Sequence, residues 1–241
     1  MREHPLKYAS QSGHVETVLE MVPYSSTSDL EFALCLAASN GHVKLLAALL
    51  DIPAVSPNCV APNNYKMNYS SSGGETALIL AVSSLEPQCV KLLLEKGADV
   101  QQTTSRYLNH GYFSPEMAIK KDGQTPLHHL ARIAFSRGNK SNSKEILDML
   151  LLAGADLEAR DEEGATPIML ITRSSRWGVN EPLELFLSAG ADPCALDFSG
   201  DSLLHRVCEV FERTEIVRKL LAYNANPRQV RNSDGSTPLH W

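Results

Sequence analysis

The residues of this chain with the clearest chemical potential are its histidines, above all the adjacent pair His128 and His129 in the heptad TPLHHLA. A zinc-binding helix holds its two histidines four positions apart, whereas neighbouring helical residues point about 100° apart. Copies of the heptad carry Met169 or Ile79 at the position of His128. A position that also accepts methionine and isoleucine is structural. We therefore predict that His128, like His205 and His240 in later copies, forms hydrogen bonds between neighbouring parts of the fold.

Other metal and catalytic patterns are missing from the sequence. Its five cysteines include no CxxC pair, and their odd number argues against a disulfide framework, so we predict reduced thiols. The acidic segment 156–164, DLEARDEEG, lacks the spacing of a calcium loop and is predicted to be a solvated hairpin tip. Phosphate-binding loops, nucleophile elbows and HExxH are also absent. We expect no catalytic residue, no metal and no cofactor, and we predict that the chain is not an enzyme.

The composition is that of a folded, acidic protein. Hydrophobic residues make up 43% of the 241 positions and charged residues 21%, values typical of a globular chain. The 22 Lys and Arg residues against 28 Asp and Glu residues give a net charge of -6, which disfavours binding to nucleic acid or anionic membranes. The N-terminus lacks the apolar run of a signal peptide. We expect an intracellular monomer in the cytoplasm, the nucleus or both.

One pattern recurs along the chain and organises it. A threonine-like position followed by an apolar helix alternates with the triplet Gly-Ala-Asp, so the two landmarks belong to one repeating unit. Two more worn copies, at 4–22 and 32–51, contain Gly-His instead. The threonine-like positions are Thr76, Thr125, Thr166, Ser202 and Thr237. Together the copies make six repeats and the opening of a seventh.

Each unit is predicted to be a pair of short helices. Thr125 can cap a helix that begins at Pro126, where no amide partner is needed. The segment SKEILDMLLLAG then has the apolar spacing of a second helix, which ends at Gly154 in a left-handed conformation. Such a pair cannot bury its own apolar face, so neighbouring units must stack.

This arrangement resembles the ankyrin repeat, with its Gly-x-Thr-Pro-Leu-His start, Ala-rich first helix, Gly-His turn, Leu-rich second helix and Gly-Ala-Asp end. The resemblance covers nearly the whole chain, apart from the long spacing before Thr125 and the missing Gly-His in repeats three to six. It implies an all-α repeat solenoid of antiparallel helix pairs joined by hairpin loops. We predict a single domain over 1–241 with long inserts at 52–74 and 101–121. The predicted repeats are 2–27, 28–73, 74–122, 123–163, 164–199, 200–234 and, in part, 235–241.

The resemblance also implies that the chain is a non-enzymatic adaptor or scaffold, which binds another protein on the concave face formed by hairpin tips and first helices. The insert 101–121 adds a dense group of aromatic residues, which suits either an interface or a loop that covers its own side chains. Leu196 and Phe198 would lie in solvent unless a ligand or the adjacent hairpin covers them. The candidate partner-binding residues are Tyr107, Tyr112, Phe113, His129, Arg132, Arg160, Arg173, Leu196, Phe198, Arg206 and Glu209.

A second interpretation remains open. The chain ends at Trp241, a few residues into the first helix of the seventh repeat, so we expect it to be part of a longer protein. In that case the repeats could be the targeting or autoinhibitory domain of a larger enzyme. Repeat architecture constrains how a partner is bound and leaves its identity open.

Overall fold

The described residues form six successive pairs of helices, one pair in each of the six complete predicted repeats. The computed structural model describes residues 5–62, 74–107, 119–121, 123–133, 140–174, 180–209, 214–232 and 234–240. The first helices of the pairs are α1 (Pro5–Gln11), α3 (Thr27–Ser39), α5 (Ala77–Ser83), α7 (Pro126–Ile133), α9 (Pro167–Ser174) and α11 (Leu203–Cys208). The second helices are α2 (Val15–Met21), α4 (Val43–Leu50), α6 (Pro87–Glu95), α8 (Lys140–Leu152), α10 (Asn180–Ser188) and α12 (Thr214–Ala222). Short 3-10 helices occupy Val22–Tyr24 and Pro238–His240.

The helices begin where the sequence predicts. Thr76 Oγ1 accepts a hydrogen bond of 3.1 Å from the Ile79 amide at the start of α5. Ser202 is the N-cap of α11, and α7 starts at Pro126. Because free amides at a helix start need acceptors and proline has no amide to satisfy, these residue types place the first turns of α5, α7 and α11.

Four of the second helices, α6, α8, α10 and α12, are followed by a left-handed residue, as predicted for Gly154. This glycine has φ +87°, and the chain then turns back so that the Ala155 amide donates to the Leu150 carbonyl at 2.9 Å. In the last copy Asn224 replaces the glycine and adopts φ +64°. Asparagine is one of the few residues with a side chain that tolerates this conformation.

The described residues form two compact units. The first contains the described residues up to Pro126 together with Glu145–Ala155, and the second contains Leu127–Lys144 and the described residues from Asp156 onward. In the first unit α3 lies between α1 and α5, and α4 lies between α2 and α6. In the second unit α11 lies between α9 and the C-terminal 3-10 helix. The single domain over 1–241 stays a prediction.

Stacked neighbours bury the apolar faces that one pair would leave in water. Leu34 of α3 and Leu78 of α5 are fully buried in the first unit, and Phe186 of α10 is fully buried in the second. Each side chain of this size contributes about 1.5–3 kcal/mol when it leaves water. The interfaces between helix pairs therefore hold the fold together.

In each unit, side chains also bond one repeat to the backbone of the next. In the first unit Asn58 Oδ1 accepts from the Asp99 amide at 2.7 Å, and Gln101 Nε2 donates to the Gly154 carbonyl at 3.2 Å. In the second unit Glu158 Oε1 accepts from the Asp192 amide at 2.8 Å. Burial raises the pKa of the Glu158 carboxyl, and the bond from Asp192 opposes that effect. These contacts fix neighbouring repeats in register.

The structure describes part of the first predicted insert, 52–74, and this part is packed against the fold. Val55, Cys59 and Ala61 are buried, and the Ala61 amide donates to the Glu75 carbonyl at 2.8 Å. The part of this insert that the structure describes, 52–62 and Gly74, therefore belongs to the packed hairpin of the repeat. Its Pro- and Asn-rich composition suggested a long loop, but the same turn-forming residues also occur in compact hairpins, so composition alone does not distinguish the two.

The second predicted insert contains a feature that the all-helical prediction omits. Strand β1 (Ser105–Tyr107) pairs antiparallel with β2 (Ile119–Lys121), with Ser105 opposite Lys121 and Tyr107 opposite Ile119. Thr104, just before β1, is buried, and its amide donates to the Gln124 carbonyl at 2.9 Å. The described ends of the predicted insert 101–121 are thus joined as a two-stranded ribbon.

Three of the five cysteines are buried: Cys35, Cys59 and Cys89. The Sγ atoms of Cys35 and Cys59 are 3.8 Å apart, so the two thiols are free and in contact. The hydrogen bond to Cys59, followed by burial, raises the pKa of the Cys35 thiol well above its usual range. Burial raises the pKa of the Cys89 thiol to about 12. Since the thiolate is the reactive form, both are expected to be inert in the folded protein.

Thiol alkylation checks this expectation. Treatment of the native chain with iodoacetamide at neutral pH is expected to leave Cys35 and Cys89 unmodified, while the half-exposed Cys194 reacts. In urea all five should react, and peptide mass spectrometry distinguishes the sites. Modification of Cys89 in the native chain as fast as in urea would contradict the buried, protonated thiol.

Candidate functional site

Two turns in the second unit are built by aspartate. Asp161 Oδ1 accepts from the amides of Glu163 and Ala165, both at 2.9 Å. Asp197 Oδ1 does the same for Ser199 and Asp201, again at 2.9 Å. An aspartate that bonds the backbone two and four residues ahead closes a rigid turn. The side chains that project from these turns are therefore held in fixed positions.

We call the surface formed by these turns the tip face. It consists of the turns at 160–164, 196–201 and 230–235, apart from Ser233, together with Arg206 of α11 and Glu209, the residue that follows α11. The turns are in direct contact: the Phe198 amide donates to the Glu163 carbonyl at 3.0 Å. A Cβ atom on Gly200 would lie 2.7 Å from the Asn232 amide nitrogen. The three turns thus form one continuous surface.

Phe198 is the main apolar feature of the tip face. Its exposed fraction is 69%, although its ring lies against Gly164, where an added Cβ would approach Cδ1 to 2.6 Å. The adjacent turn therefore covers only part of the ring, and the rest of the ring is exposed. Val230 is also exposed and Leu196 is half-buried.

Three arginines of the tip face are bonded within it. Arg160 Nη1 donates to the carbonyls of Gly164, at 3.0 Å, and Leu196. Arg206 forms an ion pair with Asp197, and the exposed fractions of the two side chains are 15% and 5%. Arg231 forms ion pairs with Asp201 and Glu209. The hydrogen bond to Glu209, and then the nearby Asp201, raise the pKa of its guanidinium more than burial lowers it.

Sequence reasoning missed part of this network. The roles of Asp197 and Arg231 depend on contacts between turns that lie far apart in sequence. The spacing Asp-x-x-Gly at 161–164 and 197–200 was an available signal for the turns themselves. Nothing comparable marked Arg231, which lies among mixed charges.

The structure brings together five of the predicted partner-binding residues: Arg160, Leu196, Phe198, Arg206 and Glu209 all belong to the tip face. The prediction that His129 binds a partner is corrected, because only 3% of this residue is exposed. Arg132 Nη2 lies 3.3 Å from its Nδ1. Since a buried ring offers almost no contact surface, we leave His129 out of the proposed site; Arg132 is half-buried. Tyr112 and Phe113 lie outside the described residues, as do the side chains of Tyr107 and Arg173.

The structural role predicted for the motif histidines is confirmed for His128. Its Nε2–H donates to the Ala165 carbonyl of the next repeat at 3.0 Å. His205 and His240 act differently, because their Nδ1 atoms accept from the amides of Ser202, at 3.1 Å, and Thr237, at 3.0 Å. These two rings complete the caps of their own helices. For His205 this corrects the prediction of a bond to the next repeat, and for His240 that bond stays a prediction.

Acid should weaken the fold through His128. Burial lowers the pKa of this imidazole below 6.5, more than the Ala165 carbonyl and Asp161 raise it. As the pH falls through the pKa of His128 in the unfolded chain, about 6.5, the unfolded chain binds more protons than the folded chain. The free energy of unfolding therefore decreases in this pH range. In urea denaturation between pH 7.5 and 5, His128→Gln should show a flatter profile than the wild type. Parallel profiles would contradict this origin.

Within the described residues, no three His, Cys, Asp or Glu side chains are placed to hold a metal ion. Likewise, no helix in the described ranges is long and apolar enough to cross a membrane.

Comparison with known proteins identifies the repeat. A family model described as "Ankyrin repeats (3 copies)" matches residues 6–104, and one described as "Ankyrin repeat" matches residues 122–162. The solved structure of the human ASB11 ankyrin repeat domain superposes with a TM-score of 0.68 at 21% identity, covering 98% of this chain and 90% of that one.

Curated relatives are similar over much of this chain. Neurogenic locus notch homolog protein 1 of Danio rerio is 32% identical over 71% of the chain and 6% of its own length. Transient receptor potential cation channel subfamily A member 1 of Homo sapiens is 25% identical over 73% of the chain and 17% of its own length. B-cell lymphoma 3 protein homolog of Mus musculus is 33% identical over 69% of the chain and 32% of its own length. The chain thus spans a third or less of these relatives.

Proposed function

Because the chain belongs to the ankyrin-repeat family, whose repeats form protein–protein interaction modules, we propose that it is an adaptor or scaffold that binds a partner protein through the tip face. The observation that carries this proposal is the 69% exposed Phe198 on a continuous surface of three turns. Large aromatic side chains that remain in solvent are typical anchors of protein interfaces.

The polar frame around Phe198 supports the same function. Arg160 is bonded to two backbone carbonyls, and Arg206 is paired with the buried Asp197. Side chains that are already fixed lose little conformational entropy when a partner binds. The surface is therefore preorganised for association.

The proposed partner is a protein rather than a nucleic acid or a membrane. A net charge of -6 repels phosphate groups, which dominate the affinity of nucleic acids. We further propose that the chain is monomeric, has no catalytic activity or cofactor, and acts inside the cell, in the cytoplasm, the nucleus or both. Its role on this view is to present a surface rather than to carry out chemistry.

A second function is favoured by the comparison itself. Since the chain matches only 6% to 32% of the relatives' length, its repeats correspond to one part of a larger protein in those cases. We therefore keep the alternative that the repeats target or inhibit an enzyme encoded on the same transcript. Sequencing the transcript beyond both ends of this chain decides between the two: a reading frame without a catalytic domain leaves the adaptor.

Affinity capture with quantitative mass spectrometry tests the tip face. We expect Phe198→Ala to lower the recovery of the main partner about tenfold or more, because an aromatic anchor contributes about 2 kcal/mol or more to a typical interface. Tyr24→Ala is the matched control: its side chain is 91% exposed, but it lies in the first unit, outside the tip face.

Arg206→Ala is a poor probe for this purpose. It would leave the Asp197 carboxylate buried without its ion pair, and the resulting loss of stability would be confused with loss of binding. Equal recovery by the wild type and Phe198→Ala, with both folded by circular dichroism, would remove Phe198 from the binding surface.

A further inference from the structure

The tip face carries an excess of negative charge. The residues that define it include seven carboxylates and three arginines, and no lysine or histidine. The whole chain has a net charge of only -6, so most of that charge is concentrated here. Glu162, Glu163 and Asp234 are exposed to solvent at the edges of the turns.

The positive charges of the tip face are committed to internal bonds. Arg206 and Arg231 are paired with Asp197, Asp201 and Glu209, which also belong to the face. Arg160 is bonded to backbone carbonyls. A partner that offered carboxylates would have to displace these bonds and would meet the exposed acidic side chains.

We propose that the segment bound by the tip face is basic, with lysine or arginine residues flanking one apolar anchor that contacts Phe198. This inference rests on the proposed function, since it specifies the partner of the same surface. Lysine or arginine beside Glu162 and Asp234 complements the local field, while the apolar side chain covers the aromatic ring and Val230. Such attraction mainly accelerates association and weakens as salt screens the charges.

The test uses a phage library of random 12-residue peptides, panned against the whole chain. We expect enriched peptides to carry a net positive charge around an aromatic or aliphatic residue. Synthetic copies should bind Phe198→Ala about tenfold or more weakly than the wild type. They should bind the double variant Glu162→Gln, Glu163→Gln about threefold more weakly at low salt, with the difference shrinking as salt rises.

Glu16→Gln with Glu20→Gln is the matched charge control, because these exposed glutamates lie on α2 in the first unit. Peptides that depend on Phe198 but are acidic or neutral, or that bind the Glu162, Glu163 variant as well as the wild type, overturn the basic partner and leave the binding surface intact. Peptides that bind Phe198→Ala like the wild type contradict both proposals, as does a library without any enriched binder.

Discussion

Replacing Phe186 by alanine is expected to lower the free energy of unfolding by about 3–5 kcal/mol, the typical range for truncating a buried aromatic side chain. Among the described residues Phe186 is the largest fully buried side chain, with an exposed fraction of 0%. The variant loses the transfer free energy of the ring and leaves a cavity that packed helices refill only in part. Since a folded domain has about 5–15 kcal/mol of stability in total, this loss is large.

Phe198→Ala provides the control, because it removes the same side chain from a site where 69% of it is already in water. Its cost is expected to be about 1 kcal/mol or less. Urea denaturation followed by far-ultraviolet circular dichroism measures both variants. Similar losses for the two phenylalanines would show that burial of Phe186 is not what stabilises the second unit.

The two phenylalanines also separate stability from recognition. Truncation of Phe186 should reduce the folded population without changing the affinity of the molecules that remain folded. Truncation of Phe198 should reduce the affinity while the folded population stays nearly constant. A single pair of variants therefore assigns one aromatic residue to the core and the other to the surface.

Features that depend on nearby residues were predictable from the sequence. The start of α7 at Pro126 and the left-handed end at Gly154 follow from caps and backbone preferences within a few residues. The contact from His128 to the next repeat was predictable because the pattern repeats in phase. One copy of the motif thereby indicates what lies beside another.

Features that depend on residues far apart in the sequence could not be predicted from it. His129 is buried by the packing around α7. Its position in the heptad had suggested an exposed side chain. The pairs Arg206–Asp197 and Arg231–Asp201 join turns that neither charge count nor spacing connects. Without these pairs the arginines of the tip face would look available to a partner. Once the pairs are known, the charges left to a partner are mainly negative.

Gly200→Ala is expected to lower the free energy of unfolding by about 2–5 kcal/mol, more than Gly235→Ala. Both glycines have left-handed φ values, +81° and +71°, which cost any residue with a Cβ about 1–2 kcal/mol. A Cβ at Gly200 would also lie 2.7 Å from the backbone nitrogen of Asn232, whereas at Gly235 no described atom lies within 4 Å. The clash adds about 1–3 kcal/mol, since backbone cannot rotate away as a side chain can.

The difference between these two variants measures how closely the turns of the tip face are packed, because the left-handed strain is common to both and cancels. Urea denaturation of Gly200→Ala and Gly235→Ala therefore isolates the contact between the turns at 196–201 and 230–235. The same clash would separate these turns, so Gly200→Ala should also weaken binding of a peptide that requires both Phe198 and Val230, while Gly235→Ala should not. Equal stability and equal binding for the two variants would mean that the turns do not form one surface.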